Sequence, residues 1–237
     1  MRTFSPLTED LLRLLDWLSR AGCTQVAIES PGVYWRPVFN ILEEALDVIL
    51  TNARDAKGDK ARKTDVIDAE WLADLLRHGL LKPSFIPPRL IRELRDLTLY
   101  RESLVRAQTA LANRIQKLIE SVNIKLGQVA SAALGASGKL RLRALAAGET
   151  DAVQLSHWAT GPFKRKQPQV QQALAGRFPQ AQGWLLAELL DQDEHVETSL
   201  HRVAARSRQE VENRVAPVVP EAVSLRDPIL GVGETVA

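Results

Sequence analysis

The 237-residue sequence has one cysteine, few aromatic residues and no long apolar run. Cys23 cannot form a disulfide within the chain, which excludes a disulfide-stabilised fold and fits a reducing compartment. Aromatic residues make up 5% of the chain, which argues against rows of exposed rings that stack on nucleobases. No apolar stretch approaches the roughly 20 residues that cross a bilayer, and no secretory signal opens the chain. We therefore expect a cytoplasmic protein with no membrane partner.

The formal net charge is also small, at +2. A nearly neutral total neither identifies nor excludes a nucleic-acid-binding protein, because separate basic and acidic surfaces can cancel. Residues 77–117 contain nine Lys or Arg against three acids, whereas residues 179–200 contain five acids and no Lys or Arg. The basic run can meet phosphate, and Arg92 and Arg95 within it are candidate nucleic-acid contacts. For either run taken alone, a solvated charged helix is the plainer interpretation.

The first part of the chain alternates helical and strand patterns. An amphipathic pattern over 7–20 predicts a helix that ends at Gly22. The apolar run that follows predicts a buried strand with Glu29 at its exit. A second helix is expected over 35–44 and a second strand over 46–51. Helix, strand, helix, strand predicts an α/β layer with a largely parallel sheet.

A polar loop and a helix with acids at its start come next. Residues 52–63 follow no period of 2 or 3.6, which indicates a loop. From Thr64 the sequence predicts a helix that stops at Gly79. Asp65 and Asp68 lie three residues apart on one face of its first turn, where acids also suit the positive end of the helix dipole.

Glu29, Asp65 and Asp68 can converge, since one ends a strand and two share a helix face. Magnesium prefers hard oxygen ligands, and a two-metal site for phosphoryl transfer needs several carboxylates to hold ions about 4 Å apart. Spacing alone leaves the ordinary alternative open, because acids are common at helix N-termini for dipole and capping reasons. The three acids form a candidate metal site.

The longest helical pattern runs from a proline-rich connector at 82–88 to about Lys125. Its apolar residues alternate in steps of four and three from Leu90 to Val122, which predicts a coiled coil or a long antiparallel hairpin. Association with a second copy would bury this stripe. The alternative is a hairpin within the chain, against an apolar face on residues 180–214 formed by Trp184, Leu185, Leu189, Val196, Leu200, Val203 and Val211.

Two strings in the sequence are highly specific: Glu-Ser-Pro-Gly-Val-Tyr-Trp at 29–35 and Arg-Lys-Thr-Asp-Val-Ile-Asp-Ala-Glu-Trp-Leu-Ala at 62–73. They resemble the N-terminal domain of the DEDD transposases of bacterial insertion sequences, also called bridge-RNA-guided recombinases. The resemblance extends through Leu-Gly-Ala-Ser-Gly-Lys-Leu-Arg-Leu-Arg at 134–143 to the final Gly-Val-Gly, so it covers nearly the whole chain.

The resemblance implies a RuvC-like, ribonuclease-H-type α/β domain whose four acids, in the order Asp, Glu, Asp, Asp, coordinate Mg²⁺. It places Glu29 at the second acid and Asp65 and Asp68 at the third and fourth, and it gives the first Asp no counterpart. Arg62 and Lys63, just before the last two acids, are candidate phosphate contacts, which give salt-dependent affinity rather than sequence reading. An exposed loop charge is the alternative. Trp35 and Trp71 are expected in the core.

The resemblance also implies a domain order and a function. An α/β domain over 1–88 lacks its first strand or strands, a helical coiled-coil connector follows over 89–215, and residues 216–237 open a truncated C-terminal domain whose nucleophilic serine is missing. The implied function is DNA transposition and recombination in the bacterial cytoplasm, with DNA, a structured guide RNA and a homodimer or tetramer as partners. Because the first Asp and the serine domain are missing, we expect this chain to be inactive alone. A non-catalytic, dimerising, nucleic-acid-binding remnant is the alternative.

Overall fold

The structure, a computed structural model, describes residues 2–29, 32–52, 65–125, 135–157, 167–174 and 178–215. The chain divides into two compact units, Met1–Pro87 and Pro88–Ala237. Arg62 and Lys63, nearly all of the loop predicted over 52–63, and the segment 216–237 lie outside the described residues. No helix in the described part is long and apolar enough to cross a membrane.

The first unit alternates helices and strands. Its elements are α1 (Thr8–Arg20), β1 (Gln25–Glu29), α2 (Trp35–Leu42), β2 (Asp47–Thr51) and α3 (Asp65–Arg77). The two strands pair in parallel, with Gln25 opposite Asp47 and Glu29 opposite Thr51. The α/β pattern with parallel pairing is confirmed, and the RuvC-like fold stays a prediction.

The core of the first unit is small, because each helix buries a narrow face. Helix α1 packs against α2, and α2 packs on both strands. The buried apolar side chains are Leu11, Phe39, Leu42, Leu46 and Leu50. Trp35 is half-buried and meets Phe39 edge-on, with ring centroids 5.5 Å apart. Trp71, expected in the core, is instead 39% exposed, because α3 shows it on a face that the described residues cover only in part.

The second unit is helical. It consists of α4 (Arg89–Ser121), α5 (Ala136–Ala146), α6 (Ala152–His157), α7 (Gln167–Leu174), α8 (Gln180–Glu210) and a π-helical turn (Val211–Val215). Helix α4 begins directly after Pro87 and Pro88, since proline fixes φ at a value that suits a helix start. It ends at Ser121, and Asn123 just beyond it takes the left-handed conformation, with a φ of 62°, that commonly stops a helix.

Helices α4 and α8 form an antiparallel hairpin within the chain. Arg214, just beyond the end of α8, contacts Glu93 near the start of α4 at 2.5 Å. At the other end of α4, its buried residues join the buried residues of α8 in one apolar cluster, which includes Leu111, Ile115, Ile119, Leu186, Leu189 and Leu190. The C-terminal half of the leucine stripe on α4 is therefore buried without a second copy of the chain.

The buried face of α8 differs in part from the predicted one. Trp184 and Leu185 are 68% and 43% exposed, so the prediction that they belong to the buried face was wrong. Leu186 and Leu190 are fully buried there instead. One residue along a helix turns the face by about 100°, and the close packing of Gly183 against Ala146 of α5 sets which face turns inward. Leu189 and Val211 are buried as predicted.

The acidic run on α8 is matched by cations from α5. Lys139 contacts Asp193 at 2.7 Å and Glu197 at 2.6 Å. Arg143 contacts Asp191 at 2.6 Å and Glu194 at 2.9 Å. These carboxylates therefore hold α5 against α8 rather than facing solvent alone.

Candidate functional site

The predicted metal ligands lie on neighbouring elements of the first unit. Glu29 is the last residue of β1, and its side chain is half-buried. Helix α3 packs against β1. Asp65 is the first residue of α3, and the half-buried Asp68 lies one turn later. The structure thus joins the strand and the helix that carry the three acids.

The local fold holds these positions firmly. In the parallel pairing, Glu29 lies opposite Thr51, the last residue of β2, which is fully buried. The carboxyl ends of parallel strands meet at the same edge of a sheet, where α/β proteins commonly bind ligands. We use the name acidic edge for Glu29 and Thr51 at this end of the sheet together with Asp65 and Asp68 at the start of α3.

The charge around the acidic edge differs from that at the far end of α3. There, Asp74 contacts Arg77 at 2.7 Å and lies 3.6 Å from a ring nitrogen of His78. Within the described residues, neither Glu29 nor Asp68 has a Lys or Arg as an ion-pair partner. Among the described side chains, Asp74 is therefore paired with a cation, whereas Glu29 and Asp68 are not.

The grouping of all three acids stays a prediction. Among the described residues, no three side chains of His, Cys, Asp or Glu lie close enough together to hold a metal ion. The side chain of Asp65 is not among those described. The structure therefore places two of the three acidic side chains, together with the backbone position of the third.

The connector after α3 returns to the acidic edge. The hydroxyl of Thr51 donates a hydrogen bond to the carbonyl oxygen of Lys82, at 3.3 Å. The backbone N–H of Ser84 donates to the carbonyl oxygen of Leu50, at 2.7 Å. Lys82 is exposed. In the sequence it was one of nine cations in a basic run, and only the fold shows that it returns to the end of β2.

The candidate nucleic-acid contacts on α4 lie in a partly neutralised run. Arg89 contacts Glu93 at 3.3 Å, and Arg106 contacts Glu102 at 2.5 Å. Arg92 is half-buried, whereas Arg95 is exposed. In the part of the chain that is described, Arg95 has no ion-pair partner. The exposed Arg95 is therefore better placed than Arg92 to meet a phosphate.

Two ion-pair groups in the second unit, around Glu93 and Lys139, shift the pKa of their members. The hydrogen bond from Arg214, aided by its positive charge and by Arg89, outweighs burial and holds the pKa of Glu93 below its ordinary value. Burial alone would lower the pKa of Lys139, but the carboxylates of Asp193 and Glu197 together raise it. Each shift follows from an ion pair that joins two helices, so these groups hold the fold together.

Comparison with known proteins gives one family. A family model described as a transposase, of the DEDD type of IS110 insertion sequences, matches residues 2–124. The match covers just over half of the 237 residues and contains the whole acidic edge. A comparison with curated proteins gives no match.

Proposed function

The chain belongs to the IS110-type DEDD transposase family, and from this we propose that it binds DNA during transposition of an insertion sequence through a Mg²⁺-dependent acidic edge. The observation that carries the proposal is the packing of α3 on β1, because it joins the helix that carries Asp65 and Asp68 to the strand that ends in Glu29.

The donor chemistry of the acidic edge fits magnesium. Carboxylate oxygens are the hard ligands that Mg²⁺ prefers, and Glu29, Asp65 and Asp68 would supply them. A bound Mg²⁺ would neutralise phosphate charge and help to orient the strand. The fold of the chain would hold these ligands in position, because β1 is paired along its length with β2 and two of the acids share one helix turn.

Cations would supply the remaining contacts to nucleic acid. We propose that Arg62, Lys63 and Arg95 meet phosphates of DNA or of a structured guide RNA, with Arg92 supporting them. Such contacts raise affinity and make it depend on salt, but they do not read sequence. Sequence choice would then come from the guide RNA.

A second candidate function is binding and dimerisation without strand chemistry. The first half of α4 favours it, because Ile91, Leu99, Tyr100 and Val105 are all at least 39% exposed. Exposed apolar side chains on a long helix favour association with a partner that covers them. In this form the chain would associate with another copy and hold nucleic acid.

The proposed function is tested by nucleic-acid binding with Mg²⁺ titrated. Fluorescence anisotropy would follow binding of the purified chain to duplex DNA and to a structured RNA, in EDTA and in rising Mg²⁺. We expect Mg²⁺ to tighten binding to the wild type, and we expect Asp65→Ala/Asp68→Ala to remove that gain. Asp74→Ala, on the same helix but paired with Arg77, is the matched control and should keep it.

Each result separates the candidates. Tight, salt-sensitive binding that ignores both Asp65 and Asp68 favours the binding and dimerising function, and sedimentation of the chain would then show a dimer. Failure to bind either nucleic acid contradicts both functions. Loss of the Mg²⁺ gain in Asp74→Ala as well would show that the effect comes from general charge on α3.

A further inference from the structure

Lys82 is held in place at the acidic edge by two backbone anchors. Its carbonyl oxygen accepts a hydrogen bond from the hydroxyl of the fully buried Thr51. Two residues later, the backbone N–H of Ser84 donates a hydrogen bond to the carbonyl oxygen of Leu50. Pro83 lies between these anchors and has a fixed φ, which also restricts Lys82 to extended backbone. The backbone at Lys82 is therefore ordered, although its side chain is exposed.

The direction of this segment sets where Lys82 lies. The carbonyl of Lys82 meets the side chain of Thr51, and the N–H of Ser84 meets the carbonyl of Leu50, so the connector passes the end of β2 in the direction opposite to the strand. The backbone of Lys82 therefore lies beside Thr51, the residue that Glu29 faces in the strand pairing. A lysine has a flexible four-carbon side chain, which suits it to meet a phosphate bound at this end of the sheet.

The other described cations of the first unit take part in interactions. Arg13 and Arg20 contact acids of α1, Arg77 contacts Asp74, and Arg2 lies over the ring of Trp17. Arg36 also makes an interaction. Among the described residues, by contrast, no carboxylate forms an ion pair with the exposed Lys82. An ordered backbone that presents an exposed ammonium group fits a ligand-binding role better than a scaffold role.

We propose that Lys82 binds a phosphate of the nucleic-acid strand that lies at the acidic edge and so positions that strand. The ligand class is a phosphodiester, since an ammonium is a compact point charge that binds phosphate oxygens without reading a base. This inference rests on the proposed function, because it places nucleic acid at the acidic edge. It adds a positioning residue on the connector, beside the acids that lie on β1 and α3.

The test compares Lys82→Gln, Lys82→Arg and Arg13→Gln in the full chain. Binding to a fluorescein-labelled single-stranded DNA and to its duplex is measured in Mg²⁺ from about 0.05 to 0.2 M NaCl. Losing one phosphate contact should weaken single-strand binding by Lys82→Gln about fivefold near 0.1 M salt and reduce the salt slope by about 0.7. Lys82→Arg should keep both values. Arg13→Gln removes the same charge from an ion-paired, exposed site and should also match the wild type.

A double variant tests whether Lys82 acts at the acidic edge. In Mg²⁺, Lys82→Gln and Glu29→Gln should weaken binding together by less than the product of their separate effects, because both act on one phosphate. If the double variant weakens binding by the full product of the two single effects, Lys82 and Glu29 act independently, and the proposal is overturned. Equal binding by Lys82→Gln and Arg13→Gln would overturn it while leaving the proposed function intact. A wild-type chain that binds no nucleic acid would overturn both, and circular dichroism would verify that each variant is folded.

Discussion

In the helical unit, acids and cations are matched across helices, whereas in the α/β unit the described acids Glu29 and Asp68 have no ion-pair partner. Lys139 and Arg143 of α5 each contact two carboxylates of α8. At the acidic edge, the described residues offer carboxylates without a matching Lys or Arg ion pair. An ion pair within a fold avoids the cost of a buried charge without a partner, and the two acids without a described ion pair are candidates for ligand binding.

The apolar cores of the two units differ in size. Twelve buried residues of the helical unit form one cluster. Truncating one of these side chains therefore removes packing contacts from several others. Among its described residues, the first unit buries only five large apolar side chains, Leu11, Phe39, Leu42, Leu46 and Leu50. We infer that stability is concentrated in the helical unit and ligand chemistry in the α/β unit.

The largest expected effect comes from the shared core of α4 and α8. Leu190→Ala should destabilise the helical unit by about 4 kcal/mol, because the residue is fully buried in the cluster. Leu42→Ala in α2 removes the same atoms from a smaller core and should cost about 2 kcal/mol. Guanidinium unfolding followed by hydrogen exchange would assign each loss to its unit. Equal losses in the two units would contradict the comparison.

The next effect comes from the buried ion pair between α5 and α8. Lys139→Ala leaves Asp193, whose side chain is 3% exposed, without its cation and should cost about 3 kcal/mol. Lys139→Met/Asp193→Leu should recover most of that loss, because an apolar pair replaces the ion pair. Chemical denaturation of both variants checks this. If the double variant is no more stable than Lys139→Ala, the loss of stability does not come from the unpaired charge of Asp193.

A smaller effect is expected at the close approach of α8 to α5. A Cβ atom added to Gly183 would lie 2.9 Å from the carbonyl oxygen of Ala146, a backbone atom that cannot move freely. Gly183→Ala should therefore destabilise by about 1 to 2 kcal/mol from overpacking, even though alanine is the better helix former. Ala181→Gly, at an exposed position nearby, should cost about 1 kcal/mol from helix propensity alone. Thermal unfolding that shows Gly183→Ala more stable than the wild type would refute this packing.

The smallest effect is a pH dependence at the exposed pair Arg214 and Glu93. The pKa of Glu93 lies below its ordinary value of 4.5, chiefly because Arg214 donates a hydrogen bond to it. The pair therefore stabilises the folded state above about pH 4.5, and this contribution disappears as the pH falls through the lowered pKa. In Arg214→Gln, NMR titration should show the Glu93 pKa rising toward its ordinary value. An unchanged pKa would mean that Arg89 alone lowers it.

The order of elements could be predicted from the sequence because each has a strong local signal. The acid-bearing helix was expected from Thr64 and begins at Asp65, and the leucine stripe predicted a long helix that runs over Arg89–Ser121. Both predictions rest on periodicity, which the backbone of a single helix sets by itself. The RuvC-like fold, the magnesium ligands and the oligomer stay predictions.

The parts that sequence could not predict depend on tertiary contacts. The α8 face was misassigned at Trp184 and Leu185, because Gly183 approaches α5 there and turns Leu186 inward. Lys82 carried no local signal, since only the hydrogen bond from Thr51 shows that the connector returns to the end of β2. Such contacts join residues far apart in the chain, which no pattern of neighbouring residues encodes.

We propose that Glu29 and Asp68 of the α/β unit, rather than the paired acids of α8, hold the divalent cation. Mn²⁺ in place of Mg²⁺ would broaden nearby amide signals in the NMR spectrum of the chain. We predict broadening at the end of β1 and in the first turn of α3, and its loss in Glu29→Gln/Asp68→Asn. Broadening centred on Asp191 to Glu197 of α8, or broadening unchanged in that variant, would contradict the claim.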